Sequence, residues 1–229
     1  NTRFPPTPMP CWRRSRALTD GAQIVLFPEL STTPEIVDEV ARHVDLVDEE
    51  LLVLAGSYHV EVSGVRSNVA EILAPGIRRH HLKFAPFDQP LSPLMASRRE
   101  GIAARTPKVT VYESGYERLA VVVCRDLLQP SAVPTVLADA GVSILLVPMM
   151  SESTDTFAVR AEGLTRMSQA VAAIANGPVE WSNDDDEPLA ATFYPLRGPG
   201  LPDGKAAAAG LHPTYCLFAP AQAPSVVRL

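Results

Sequence analysis

Three side chains stand at or near the end of an expected strand. Glu29 follows "IVLFP", Lys83 closes the segment that starts after Pro75-Gly76, and Cys124 ends "LAVVV". Each alone has an ordinary reading. A glutamate or lysine after a strand is usually solvated, and a cysteine in a valine run is usually core. Together they supply a base, a cation and a nucleophile. A free thiol has a pKa of about 8.5, so little of it is thiolate at neutral pH and it needs a base beside it. Attack on an amide or nitrile carbon builds negative charge that requires fixed positive charge or N–H donors. A turn from strand into helix at Cys124 would also aim backbone N–H groups at that charge.

Neighbouring residues extend the set. Arg125 and Asp126 follow the cysteine directly and are expected to orient the turn through an ion pair or backbone hydrogen bonds. Asp126, two residues from the thiol, is a weaker candidate base than Glu29. His80 and His81 adjoin the lysine; adjacent strand residues face opposite sides, so one of them at most points inward, and His81 is the candidate pocket residue. Met149, at the end of "VSILLVPM", is the other. Two histidines without a further ligand at suitable spacing make no metal site. The acidic run "DDDE" (184–187) reads as a solvated loop. Cys11, Cys124 and Cys216 are too few and too scattered for a disulfide framework or a zinc site. No cofactor and no metal are expected.

The elements that must position these groups follow from patterning. Residues 22–30 read as a buried strand. Thr33 and Pro34 open a helix over 34–49, with Ile36, Val37, Val40, Ala41, Val44 and Val47 at helical spacing. Strands are expected at 51–60, 68–76 and 77–84, then a proline-bearing loop to 93. Residues 108–113 and 119–124 read as a hairpin, 131–141 as a helix ending at Gly141, and 142–149 as a buried strand. A long helix from 157 runs into a strand before 176. Residues 1–20 form an irregular lead-in, 21–176 the core, 177–212 a Pro-, Gly- and Ala-rich loop or insertion, and 213–229 two short strands. The strands belong to a mixed α/β architecture, either one sheet with helices on both sides or two stacked sheets each with an outer helical layer.

Composition bounds the function. The 229 residues carry a net charge of −6, with 46% hydrophobic and 20% charged residues, as in an ordinary globular protein. The basic cluster "WRRSR" (12–16) is too small for a nucleic-acid surface. No run approaches the roughly 18 apolar residues of a membrane helix, and no signal segment is evident at the start. A cytoplasmic location is expected. The chain lacks an initiator methionine, which suggests a fragment or a processed form.

"GAQIVLFPEL", "HHLKFAPF" and "LAVVVCRDLLQP", in that order, resemble the three signature blocks of the nitrilase superfamily of carbon–nitrogen hydrolases. The resemblance continues through "GVSILLVPMM" and "SQAVAAIAN" and spans residues 20–176. It implies a four-layer α-β-β-α sandwich, often dimerised. It also implies Glu29 as general base, Lys83 as stabiliser of the tetrahedral intermediate and Cys124 as the nucleophile that forms a thioester. The substrate would be a small amide or carbamoyl compound, with a nitrile less favoured, and the protein a homodimer. Pairing the family's His-Leu with His81-Leu82 would move the lysine position to Arg79. However, Arg79 lies three residues past Gly76, too few to cross a strand, whereas Lys83 lies seven past it. Lys83 is therefore chosen.

The chain also departs from the family pattern. A second glutamate usually follows the lysine block; here Asp88 and Gln89 stand there, with Glu100 further on. The later helix offers "RMSQA" in place of the family pattern, and no first strand is evident before residue 20. These departures leave a second reading, a nitrilase-like binding module without turnover within a larger protein. A third makes Cys124 a core residue of an unrelated α/β protein.

Overall fold

The computed structural model describes residues 23–46, 51–89, 98–114, 117–129, 133–151, 155–177 and 190–193. Cys11, Cys216, the acidic run at 184–187, the lead-in at 1–20 and the strands expected in 213–229 lie outside these residues.

Apolar alternation builds the first sheet. Strands β1 (Ile24–Leu26), β2 (Leu52–Val62), β3 (Val65–Ala74) and β4 (Ile77–Leu82) lie in that order, with β1 parallel to β2 and the others antiparallel. Helix α1 (Pro34–Val44) connects β1 to β2. Its start is set by Thr33, whose hydroxyl accepts from the Ile36 N–H, and by Pro34 in the first turn. Val37, Val40 and Val44 recur along one face of α1 and meet Val25, Phe27, Val53, Val69 and Leu73 on the outer side of the sheet. The intervening residues Leu26, Leu52, Leu54, Ala70 and Ile72 turn the other way, into the larger core. A short ribbon, β5 (Asp88–Gln89) with β6 (Arg98–Arg99), follows.

The second sheet holds β7 (Val111–Ser114), β8 (Glu117–Val121), β9 (Ile144–Met149), β10 (Val171–Asn176) and β11 (Ala190–Phe193), in the order β11-β10-β9-β8-β7. β8, β9 and β10 are mutually parallel, and the two edge strands run antiparallel to them. Parallel neighbours need crossovers: α2 (Val133–Asp139) joins β8 to β9, and α3 (Asp155–Ser168) joins β9 to β10. Leu137, Phe157, Ala161 and Leu164 pack into the same core as Val121, Leu146 and Ala173. The layers are therefore α-β-β-α, with two sheets stacked face to face. That resolves the choice which patterning alone left open.

Boundaries shift in instructive places. α1 ends at Val44, where Asp45 caps it. The long helix stops at Ser168, and the alanine-rich "VAAIAN" is a strand because it is buried between β9 and β11, where tertiary context overrides alanine's helix propensity. Within the stretch read as a loop, Ala190–Phe193 pair with β10. Among the described residues, no helix is long and apolar enough to cross a membrane.

Candidate active site

Glu29 lies on a tight turn just beyond β1, and every residue around it has a task. Leu30 takes a positive φ of 52°, and its N–H donates to Ser57 Oγ at 3.0 Å. The Ser31 hydroxyl donates back to the Pro28 carbonyl at 2.6 Å, and Thr32 Oγ1 donates to the Ala55 carbonyl at 2.8 Å. Strand β2 bulges between Leu54 and Ser57 to meet this turn. Gly56 occupies the bulge with φ +67°, and a Cβ there would sit 2.5 Å from both Pro28 O and Ser31 Oγ. Only glycine allows that approach. The Glu29 N–H reaches the Met149 carbonyl at 3.3 Å, joining the end of β1 to the end of β9.

Lys83 follows β4 and is wholly buried, with its N–H on the Asn68 carbonyl at 2.9 Å. Its Nζ donates to Glu29 Oε1 at 2.7 Å and to Glu100 Oε2 at 2.7 Å. Arg79 lies exposed on the strand and donates to its own neighbour's carbonyl. Cys124 opens a 3-10 helix, Cys124–Leu128, with φ 47° at the cysteine itself. A non-glycine residue in this region is strained by about 1–2 kcal/mol, so surrounding contacts must hold it there.

Asp126 supplies those contacts. It is fully buried. One oxygen accepts from the N–H groups of Phe84 and Ala85 at 3.1 and 2.8 Å. The other accepts from the Val123 N–H at 3.3 Å and faces His81 Nε2 at 3.3 Å. Asp126 thus ties the cysteine turn to the two residues after Lys83. His81 is the inward histidine, stacked edge-on to Phe84, and His80 is exposed. Arg125 Nη1 donates to the Asp88 carbonyl at 2.6 Å, fixing the turn to β5. Met149 is buried and contributes its carbonyl.

Glu29, Lys83 and Cys124 therefore come together at one place: the lysine bonds the carboxylate, and the thiol lies near enough for the charges of both to act on it. Two further members come from outside the three strand ends. Asn68, on the inner face of β3, donates its amide to Glu29 Oε1 at 2.8 Å and to Glu100 Oε1 at 2.9 Å. Flipping that amide would aim its oxygen at two carboxylates, so its orientation is fixed. Glu100, which the sequence offered only as a distant substitute for the family's second glutamate, is the second carboxylate on Lys83. His59 Nε2 meets it at 3.1 Å. An amide placed at an inward strand position was the readable sign of Asn68. For Glu100, beyond a proline-bearing stretch without period, the one sign was the second glutamate of the family pattern, which left it a distant candidate.

Burial and charge act against each other throughout the site. Burial raises the Glu29 carboxyl above its ordinary value, against the charge and hydrogen bond of Lys83. Burial works to lower Lys83, but the charges of Glu29, Cys124 and Glu100 outweigh it and hold the ammonium above an ordinary lysine. Burial opposes ionisation of Glu100 as well; hydrogen bonds from His59, Lys83 and Phe87, together with the lysine charge, bring it down to about 2. Burial, then the Glu29 charge, push the Cys124 thiol well up. The resting state is a thiol beside a carboxylate whose proton affinity is raised, with a second carboxylate that stays ionised. Such an arrangement can move a proton from sulfur to oxygen and hold a nascent oxyanion on an ammonium.

Neither a protein-family model nor a curated protein sequence matches the chain. Solved structures do. Saccharomyces cerevisiae Nit3, of branch 10 of the nitrilase superfamily, superposes with a TM-score of 0.62 at 12% identity, over 80% of this chain and 73% of that one. The chain has the nitrilase fold. The amidase from Nesterenkonia sp. AN1, solved with the acetamide moiety of fluoroacetamide on its active-site cysteine, superposes with a TM-score of 0.55 at 19% identity, over 79% of this chain and 72% of that one. The glutamine-dependent NAD+ synthetase of Acinetobacter baumannii superposes with a TM-score of 0.54 at 16% identity, over 80% of this chain and 36% of that one.

Proposed function

We propose that the protein hydrolyses the carbon–nitrogen bond of a small amide or carbamoyl compound through a thioester on Cys124. One observation carries this reading: inside the fold Lys83 bonds Glu29, and Cys124, from a third strand end, lies near enough for the charges of both to act on it. The covalent acetamide adduct on the cysteine of the similarly folded amidase supports it.

Glu29 accepts the thiol proton as Sγ bonds to the carbonyl carbon. The carbonyl oxygen takes the electron pair as an oxyanion, held by the Lys83 ammonium and by N–H groups of the turn that starts at Cys124. Collapse of this intermediate breaks the C–N bond, and the amine departs with the proton from Glu29. Water then gives a proton to Glu29 and attacks the thioester. The carboxylic acid leaves, and the proton returns to Cys124. Because the thiol is not ionised at rest, the proton moves with the attack rather than before it.

The test is ammonia release from a panel of small primary amides, carbamoyl compounds and nitriles, with Cys124→Ala and Glu29→Gln in parallel. Turnover on amides is expected in the wild type, with a fall of at least about a thousandfold in each variant while circular dichroism stays unchanged. A wild type that releases no ammonia, or an alanine variant that keeps turning over, would sink the hydrolase reading.

A further inference from the structure

The two carboxylates on Lys83 are held differently, and the difference lies in a residue outside the triad. Glu100 Oε1 accepts from His59 Nε2 and Asn68 Nδ2, while Oε2 accepts from Lys83 Nζ and from the Phe87 N–H at 3.0 Å. Glu29 shares Lys83 and Asn68 with it, on one oxygen. Strand pairing sets this up: His59 is the register partner of Asn68 across β2 and β3, so the ring and the amide stand side by side.

The ring's other nitrogen decides its tautomer. His59 Nδ1 lies 3.2 Å from Arg66 Nη2. A guanidinium can only donate, so Nδ1 is the acceptor and the ring proton sits on Nε2, facing Glu100. The exposed Arg66 thus donates to His59 and His59 to Glu100, which accepts from Lys83 on its other oxygen, so the donors converge on the Glu100 carboxylate from the surface and from the site.

We propose that His59, its tautomer fixed by Arg66, is a positioning residue that anchors Glu100 and so keeps Lys83 shared between Glu100 and Glu29. This rests on the hydrolase reading and adds a residue to its machinery. Without the His59 donor, Glu100 Oε1 keeps only the Asn68 amide. The under-satisfied carboxylate then draws the ammonium toward itself, and Glu29, the thiol and the oxyanion lose part of its field.

The experiment compares wild type with His59→Leu, His59→Gln and Arg66→Met. The readouts are kcat, KM and the rate of iodoacetamide alkylation at Cys124, located by mass mapping. Glutamine places an N–H donor close to the histidine Nε2, so it separates the hydrogen bond from the ring. His59→Leu should lower kcat by about 10- to 100-fold, the worth of a hydrogen bond to a charged group, with KM within about threefold. Alkylation should slow in the same direction. His59→Gln should recover to within about fivefold of wild type, and Arg66→Met should lose only about threefold, since its ring can still donate. Equal impairment in His59→Leu and His59→Gln, or a change confined to KM, overturns the proposal. If His59→Leu does not fold, His59→Gln and Arg66→Met decide it alone: kcat of wild type in Arg66→Met, or a glutamine variant as slow as Glu29→Gln, counts against it. Alkylation also separates the two failures. If Glu29→Gln slows alkylation and His59→Leu does not, His59 alone is wrong; if Glu29→Gln has no effect either, the hydrolase reading falls.

Discussion

The two sheets give the site different things. The first carries Glu29 beyond β1, Asn68 within β3 and Lys83 beyond β4, with Glu100 held against them from the chain after β6. From the second come the thiol of Cys124 and the carbonyl of Met149. Charges leave water only when they are paired, and the two carboxylates bond the ammonium and the amide nitrogen, while the amide oxygen of Asn68 has no partner among the described residues. A neutral thiol needs no such company, so it can end a run of valines. The division has a consequence: groups on one sheet act on the protonation of a thiol on the other. The site therefore exists only while the sheets stay in register, and Asp126 is the side chain that spans them at this point.

Removing that span should have the largest effect on stability. Asp126→Ala deprives three backbone N–H groups and His81 of their acceptor, and should cost about 3–5 kcal/mol in urea unfolding. Asp126→Asn keeps one accepting oxygen and should cost less. A loss below about 1 kcal/mol in the alanine variant would show that the apolar core alone sets the register of the sheets.

The next effect sharpens the contrast from the side of the first sheet. A methyl at Gly56 would overlap the Pro28 carbonyl and the Ser31 hydroxyl, and φ +67° disfavours any L side chain there. Gly56→Ala should cost about 2–3 kcal/mol and also displace Glu29. Reduced alkylation of Cys124 in the folded variant would check the second part. Stability within about 0.5 kcal/mol of wild type would mean that the turn yields easily and does not set Glu29.

How legible all this was depended on whether local pattern or tertiary contact placed each residue. Glu29, Lys83 and Cys124 could be read because each stands at or just past the end of an expected strand, and a strand end is a local feature. Which faces Val25 and Leu26, or Leu52 and Val53, would take was not readable, since all four are apolar; the structure sends the members of each pair to opposite sides of the first sheet. Patterning could not say that two sheets stack, since continuous apolar strands suit either arrangement; the resemblance of the three sequence blocks implied it, and the fold has it. The same patterning showed that the long helix from 157 runs into a strand before 176, but not where the boundary falls, because the neighbours β9 and β11 set the start of "VAAIAN". Asp126 was readable as an orienting residue, but its four contacts span 41 residues or more in three cases. Glu100 and His59 lie 41 residues apart and meet only through the fold.

The smallest effect distinguishes the two carboxylates themselves, through opposite signs in pH. Glu100 has a folded pKa lowered from 4.5 to about 2. Its ionised form therefore stabilises the fold above pH 4.5, and that contribution fades as pH falls toward 2. Glu29 is raised, so its ionised form costs stability; the cost is present above its folded pKa and gone below 4.5. Glu100→Gln should thus destabilise the protein at pH 7 by about 1–2 kcal/mol after allowance for solvent screening, and progressively less in acid. Glu29→Gln should stabilise it at pH 7 by a similar or smaller amount, with the gain vanishing in acid. Urea midpoints taken from pH 7 to pH 3 read both. Two variants with the same sign would mean that Lys83 treats the carboxylates alike and that neither is set aside to take the thiol proton. Opposite signs would mark Glu29 as the site's base by its cost to the fold, independently of any substrate.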